Sequence, residues 1–377
     1  MKAWFVLWAG AIAVAPGLAE ETPELPPAAV VARILQSAPL VRAAASAVRA
    51  EEANRARLEA GPYEWTLRLG GQRRRVHAAA GPDQRFQEAE AALERPLRLP
   101  GKAALDAELG ARGVDIAETA HGDALHEASR GLLKGWFTWL REVEAAGQWA
   151  QQVELLAGHG QGVLRRQQLG DAARLEAVQA EASLAQARAQ LAQARVRERL
   201  AAEELRRRYV GLPLPERVVL AEPAAIAGSE ADWIAAIVAH SHELGVARGE
   251  AQRALVAAGR SGSERLPDPT LALHLARERS GEENVVGLTL SFPLPGAGRR
   301  AHADAALAQA EAASSRELAA RQKVETEAAA LYQAASAARS TWESSRQAAA
   351  QLQQAALMTA RAYQLGEGTL VALLAAR

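Results

Sequence analysis

Apolar positions along this chain follow two periods, and the periods alternate in a fixed order. From Ala28 to Ala60, Val31, Ile34, Leu35, Val41 and Val48 are roughly helix-spaced. Pro39 is expected to kink or interrupt that run, and Gly61-Pro62 to stop it. In Glu64 to Leu69 every second residue is apolar, the period of a half-buried strand. A polar stretch follows, with Arg73 to Arg75 and Gly81-Pro82-Asp83. Phe86 to Glu94 fits a return strand, with Gln87, Ala89, Ala91 and Leu93 on one face and Glu88, Glu90 and Glu94 near the other, but the same residues suit a helix. Pro96 and Pro100-Gly101 break the chain again. From Lys102 to Arg208 it reads as helix, with interruptions expected at Gly158 to Gly162 and at Leu169-Gly170-Asp171. Within that stretch Ala177, Leu184 and Leu191 recur in heptad register, with Ala180, Ala187 and Ala194 between them. Small residues in such a seam let helices approach closely.

The order then repeats. Gly211, Pro213, Pro215 and Pro223 mark a linker, Trp233 to Ala258 reads as helix, and Leu266-Pro267-Asp268-Pro269 ends it. Leu271, Leu273 and Leu275 share one strand face; after a turn at Ser280 to Glu283, Val286, Leu288, Leu290 and Phe292 share another. Helix is expected again from Arg299 to Gln364. Three short matches accompany the repeat: Thr66-Leu67-Arg68-Leu69 with Thr270-Leu271-Ala272-Leu273, Pro96 to Lys102 with Pro293 to Arg299, and Gln168-Leu169-Gly170-Asp171 with Gln364-Leu365-Gly366-Glu367. All lie at an offset of roughly 200 residues. This divides the chain into 20–211, a first repeat of helix, strand pair and long helical hairpin, and 212–377, a second repeat. Four strands cannot close a barrel, which needs about eight. Either several chains share one barrel, or the strands form a soluble sheet.

Composition narrows the class. Aromatic residues are only 4%, while Ala, Leu, Glu, Arg and Gln dominate, the profile of long helices and coiled coils. With 44 basic and 44 acidic residues the formal net charge is +0, which argues against nucleic acid as a partner. At the N-terminus, Lys2, the apolar run Trp4 to Val14, Pro16 and the small residues around Ala19 have the anatomy of a secretory signal over residues 1–19, cleaved before Glu20. No later stretch approaches the ~18 consecutive apolar residues of a membrane-spanning helix. Cysteine is absent, so the sequence offers no disulfide framework and no thiolate site.

Candidate chemistry is sparse. His121 and His126 are five apart and His240 and His242 two apart, neither the spacing of a metal-binding helix face. Gly296-Ala297-Gly298 is too short for a dinucleotide loop. No nucleophile-elbow or phosphate-loop motif occurs. The expectation is a protein that is not an enzyme, with no catalytic residues, no cofactor and no metal.

On these residues the chain resembles the TolC-like outer-membrane efflux proteins, the outer membrane factors. The resemblance rests on Ala38-Pro39-Leu40-Val41-Arg42-Ala43-Ala44 at a helix opening, on Ser291 to Arg300 at a strand-to-helix corner, and on Gln168 to Asp171 and Tyr363 to Glu367 at helix tips. The stretch Pro293 to Arg300 is similar to that of the heavy-metal-cation branch. The resemblance implies a mostly α fold with a small β part. Long coiled-coil helices would form a periplasmic tunnel, and four strands per protomer would contribute to a trimeric, 12-stranded transmembrane β-barrel in the outer membrane of a Gram-negative cell. The implied function is a passive duct for metal cations or drugs. Its implied partners are two further copies of the chain, a periplasmic adaptor (membrane fusion protein), an inner-membrane efflux pump and outer-membrane lipid.

Within that frame Trp65, Leu67, Leu69, Leu271, Leu273, Leu275, Val286, Leu288, Leu290 and Phe292 are expected to face lipid, and Thr66, Thr270, His274, Thr289 and Ser291 to face water. Leu169, Gly170, Asp171, Leu365, Gly366 and Glu367 are expected at adaptor-docking tips. The first half has a return helix after Gly170, while only eleven residues follow Gly366, so the second return helix is expected to be truncated and the apolar stripe Leu352, Ala355, Ala356 and Tyr363 to be partly uncovered. The alternative reading is a periplasmic coiled-coil adaptor or scaffold, whose strand faces would pack on its own core.

Overall fold

The computed structural model describes residues 25–376 except 78 and 217. The secretory signal expected over residues 1–19 lies outside the described residues. Twelve α-helices and β-strands follow one another among those described: α1 (Ala28–Ser37), α2 (Pro39–Ala60), β1 (Thr66–Val76), β2 (Gln84–Pro96), α3 (Lys102–Gln168), α4 (Arg174–Arg208), α5 (Glu230–His240), α6 (His242–Ser263), β3 (Thr270–Glu278), β4 (Glu283–Ser291), α7 (Ala297–Gln364) and α8 (Leu370–Ala375), with a short 3-10 turn (Arg279–Gly281) between β3 and β4. The order helix, helix, strand, strand, helix, helix thus runs twice. Among the described residues no single helix is long and apolar enough to cross a membrane.

The break expected at Pro39 is present, and several other elements depart from expectation. Pro39 divides the first helical stretch, because its ring forces the preceding residue out of the helical region; Ala38 sits at φ −60°, ψ 135°. Ser241 divides the next such stretch, and its hydroxyl accepts from the Leu244 N–H at 3.2 Å to cap α6. The interruption expected at Gly158 to Gly162 does not occur: α3 runs through it unbroken. Each glycine there costs about 1 kcal/mol relative to alanine, too little to stop a helix of that length. β1 continues through the polar Arg73 to Arg75, and the ambiguous stretch after it is strand, since β2 pairs on both sides. Trp65 and Phe292 lie one residue outside β1 and β4.

The molecule divides into two compact units, and each draws on both halves of the sequence. Among the described residues, one holds 25–38, 129–224 and 346–376. Its larger core gathers Ile34, Leu132, Trp136, Trp139, Leu140, Leu205, Tyr209 and Leu212, with the two tryptophan rings 5.0 Å apart and tilted. Ala180, Ala187 and Ala194 are buried seven residues apart along α4, while Leu184 and Leu191 are half-buried, so alanine carries the seam. A second cluster joins Val163, Ala177, Ala180, Ala360, Leu370 and Leu373. Ala356 and Ala360 on α7 are therefore covered, whereas Leu352 and Ala355 remain exposed.

The other unit holds 39–128 and 225–345. Here α2, α3 and α6 approach closely at glycines: a Cβ on Gly110 would lie 2.8 Å from the Arg55 Cα. Ala303, Ala306, Ala310 and Ala313 form a buried stripe at heptad spacing on α7. The four strands form one antiparallel sheet in the order β1-β2-β3-β4.

Candidate functional site

Strand register decides which side chains share a face. Leu67 pairs with Leu93, Leu93 with Leu273, and Leu273 with Leu288. The next rung reads Leu69, Ala91, Leu275, Val286, and the rung before it carries Arg95, Leu271 and Leu290. Residues directly opposite in an antiparallel pair point the same way. Leu67, Leu69, Leu271, Leu273, Leu275, Val286, Leu288 and Leu290 therefore occupy one face. Most of that face is exposed in the single chain, with Val286 and Leu288 each at 72%. Trp65 flanks it outside β1, under the Arg95 guanidinium at 5.3 Å, and Phe292 flanks it beyond β4. Leu93 and Ala91 belong to the same face; their alternation with glutamates was the available signal.

The opposite face is polar. Thr66, Glu94, Ala272 and Thr289 form one rung, and Arg68, Ala92, His274 and Gly287 the next. Thr270 and Ser291 are paired on it. Its charges are mutually satisfied: Arg68 meets Glu94 at 2.9 Å, Arg74 meets Glu88 at 3.1 Å and Glu278 at 3.5 Å, and His274 lies 3.5 Å from Glu90.

Where strands give way to helices, a buried charge network holds the corner. Lys102, 1% exposed at the start of α3, donates to the Leu266 carbonyl at 2.8 Å and contacts Asp268 at 2.9 Å and Glu264 at 3.3 Å. Asp268 also accepts from the Tyr63 hydroxyl at 2.7 Å and the Leu99 N–H at 3.0 Å. Arg299 reaches Glu264 at 3.1 Å, and Arg260 bonds Glu264 and, at 2.6 Å, Asp106. Burial pushes the Asp268 carboxyl up, but Tyr63, the Leu99 N–H and Lys102 together hold it below the usual range. Glu264 is held low in the same way against its burial, by Arg260 and Lys102. Burial and the Asp268 carboxylate push the Tyr63 phenol up to about 12. This network was not anticipated. Its one sequence signal was the matched Pro-Gly corners, which place Lys102 and Arg299 in equivalent positions; both reach Glu264.

The two tip turns are alike. Gly170 takes φ +83°, its N–H bonds the Gln167 carbonyl at 3.0 Å, and the Asp171 N–H bonds the Arg166 carbonyl at 2.8 Å. Gly366 takes φ +79°, its N–H bonds the Tyr363 carbonyl at 3.2 Å, and the Glu367 N–H bonds the Ala362 carbonyl at 2.9 Å. This paired pattern closes a helix through a left-handed residue that only glycine adopts without strain. The turns are brought together by Arg166, which donates to the Tyr363 hydroxyl at 3.1 Å and to the Asp171 carbonyl at 3.1 Å. Leu169 and Leu365 are exposed beside them. Among the described residues no group of three or more His, Cys, Asp or Glu gathers to hold a metal ion.

Over residues 233–377 the chain matches the family described as outer membrane efflux protein. Its fold is that of outer membrane channels. The chain is similar to CusC, in a structure concerned with folding and transmembrane channel formation, at 15% identity and a TM-score of 0.75, covering 92% of this chain and 84% of that one. It is similar to the outer membrane protein VceC of Vibrio cholerae at 17% identity and 0.71, covering 92% and 88%. The open state of the Neisseria gonorrhoeae MtrE outer membrane channel aligns at 18% identity and 0.68, covering 94% and 82%. At these identities it is the fold that is shared. No curated protein matches the chain. The chain is thus largely helical with one small sheet, in the fold of outer membrane channels, and its second half is similar to the outer membrane efflux protein family.

Proposed function

We propose that this chain is an outer membrane efflux protein, one subunit of a homotrimeric export duct. Three copies of the four-stranded sheet close one twelve-stranded barrel in the outer membrane, and the long helices line a tunnel in the periplasm. Solutes, metal cations or drugs, pass through it passively after an inner-membrane pump delivers them. A periplasmic adaptor docks at Leu169, Gly170, Asp171, Leu365, Gly366 and Glu367. No catalytic step is needed.

The strand register carries this reading. It collects the apolar residues on one exposed face and the paired charges on the other, the division between lipid and a water-filled lumen. Among the described residues β1 and β4 each have a single neighbour, so the sheet ends in two free edges. Lipid tolerates no open edge, which calls for closure by further copies. An adaptor or scaffold burying these faces in its own core would not leave Leu67, Leu69, Val286 and Leu288 exposed.

Because the chain has no cysteine, single cysteines report position cleanly. Leu288→Cys in outer membranes is expected to react with a lipid-soluble maleimide and Thr289→Cys with a small water-soluble one. The mass in detergent is expected to equal three chains. Equal labelling at both positions, or a monomer, would overturn the proposal.

A further inference from the structure

The outward face of the sheet does not remain apolar along its whole length. Beyond the rung of Leu69, Ala91, Leu275 and Val286 come Gly71, Ala89, Arg277 and Asn284, then Arg73 with Gln87, then Arg75 with Arg85. All of these share the parity of the leucines and so point the same way. Every strand glutamate sits on the opposite face, as do Arg68 and Arg74. Arg68 and Arg74 there are held by carboxylates, as described above. On the outward face Arg75 is held by Asp83 at 3.0 Å. Arg73, Arg85 and Arg277 are exposed, and among the described residues none of the three meets a carboxylate.

Position along the strands gives these three cations a depth. They lie at the hairpin end of the sheet, where β1 turns into β2 and β3 into β4; the other end leads to the helices. With the helices in the periplasm, the hairpin end faces outward from the cell. Phe292 marks the opposite border of the apolar face, and Asn284 shares its rung with Arg277. Eight residues of strand separate Phe292 from Asn284, roughly 27 Å at the usual rise. At a barrel strand's usual tilt of about 40° this projects to roughly 20 Å across the membrane, close to the ~25 Å apolar band of outer-membrane barrels. The free arginines therefore begin where hydrocarbon ends and headgroups start.

We propose that Arg73, Arg85 and Arg277 form a strip on the barrel's outer rim that binds the phosphate groups of phosphorylated lipid headgroups in the outer leaflet. A guanidinium presents a planar fork of donors that matches phosphate oxygens, and it loses less hydration than an ammonium would. Arg73 and Arg85 are diagonal neighbours, roughly 7–8 Å apart at Cβ, near enough to share one phosphate. Arg277 stands on the far side of β2, beside the tight β3–β4 turn at Gly281, where it reaches a second. The strand carboxylates are kept to the lumen face, and Asp83, in the β1–β2 turn, is paired with Arg75. Each copy in a trimer presents one strip.

The proposal rests on the lipid-facing assignment above, and the test separates the two. Full-length protein and the triple variant Arg73→Gln, Arg85→Gln, Arg277→Gln are inserted into phosphatidylcholine vesicles, and insertion is scored by flotation. The inserted proteins are then extracted in detergent and titrated with diphosphorylated lipid A, with the same lipid dephosphorylated, and with inorganic phosphate. Wild type is expected to bind the diphosphorylated lipid roughly a hundredfold more tightly than the triple variant does, about fivefold for each charge removed. The dephosphorylated lipid is expected to bind both weakly, and inorganic phosphate is expected not to compete at equal concentration. Arg68→Gln, on the lumen face, is expected to bind as wild type. Equal affinity of wild type and triple variant, equal affinity for the dephosphorylated lipid, or full displacement by inorganic phosphate would overturn the strip while leaving the barrel standing. Wild-type protein that does not insert would overturn both.

Discussion

Leu288 and Thr289 are chain neighbours on opposite faces of β4, and they expose what the strand pattern encodes. Arginine at Leu288 is expected to cost about 2–4 kcal/mol of barrel stability if it lies near the membrane midplane, and arginine at Thr289 much less. Denaturant unfolding in lipid vesicles compares them, and equal effects would count against the face assignment. These positions were legible because alternation is a local signal. Lys102 was not: a lone lysine at a helix start reads as solvated, and its partners at 264–268 are more than 160 residues away. Lys102→Met leaves the half-buried Asp268 without its cation, while Glu264 keeps Arg260 and Arg299, and is expected to cost about 3 kcal/mol. The same corner sets an acid limit. Folding lowers the Asp268 and Glu264 carboxyls against the pull of burial, so their contribution is present above the usual carboxylate range and lost as pH falls through the folded values. The melting temperature is expected to hold from pH 7 to about 5 and to decline below about pH 4. Asp268→Asn should lower it at pH 7 and make the acid decline shallower; an unchanged decline would show that this carboxyl is not responsible.

Helix ends were legible where one residue type carries the geometry. Leu-Gly followed by an acid marked both tip turns, and both glycines take the left-handed conformation. Gly170→Val is expected to strain the turn by about 1–3 kcal/mol. Export by the assembled pump is expected to fall to background while trimer content and barrel insertion stay as in wild type. Loss of insertion instead would remove the tip from adaptor docking. The glycines from Gly158 to Gly162 misled for the reverse reason. They meet no side chain a Cβ would strike and need no positive φ, so the helix passes through them. Period alone also left β2 undecided, because a strand that alternates alanine with glutamate carries little apolar contrast. Only pairing with β1 and β3 resolves it. Arg166 and the short α8 gave no local signal, and the tip motif that includes Tyr363 did not show its partner, since these roles come from contacts across nearly 200 residues of sequence.

At the scale of the whole molecule, the duplication was the most readable feature: three short matches at one offset implied two rounds of the same element order, and the structure has them. That each compact unit mixes residues from both halves was hidden, because nothing in a repeat's own sequence says which helices of the other half it will join. The sheet's free edges reach further than shape. In water the unpaired N–H and C=O groups of β1 and β4 are solvated; in hydrocarbon each costs several kcal/mol. A solitary chain therefore has no low-energy route into a bilayer, and insertion becomes a reaction of high kinetic order. At fixed lipid, the initial rate of insertion is expected to rise more steeply than linearly with protein concentration. A first-order rate, independent of dilution, would mean that one chain enters alone. For the cell, the yield of inserted channel would then depend on local crowding at the membrane, and halving synthesis would lower that yield by more than half.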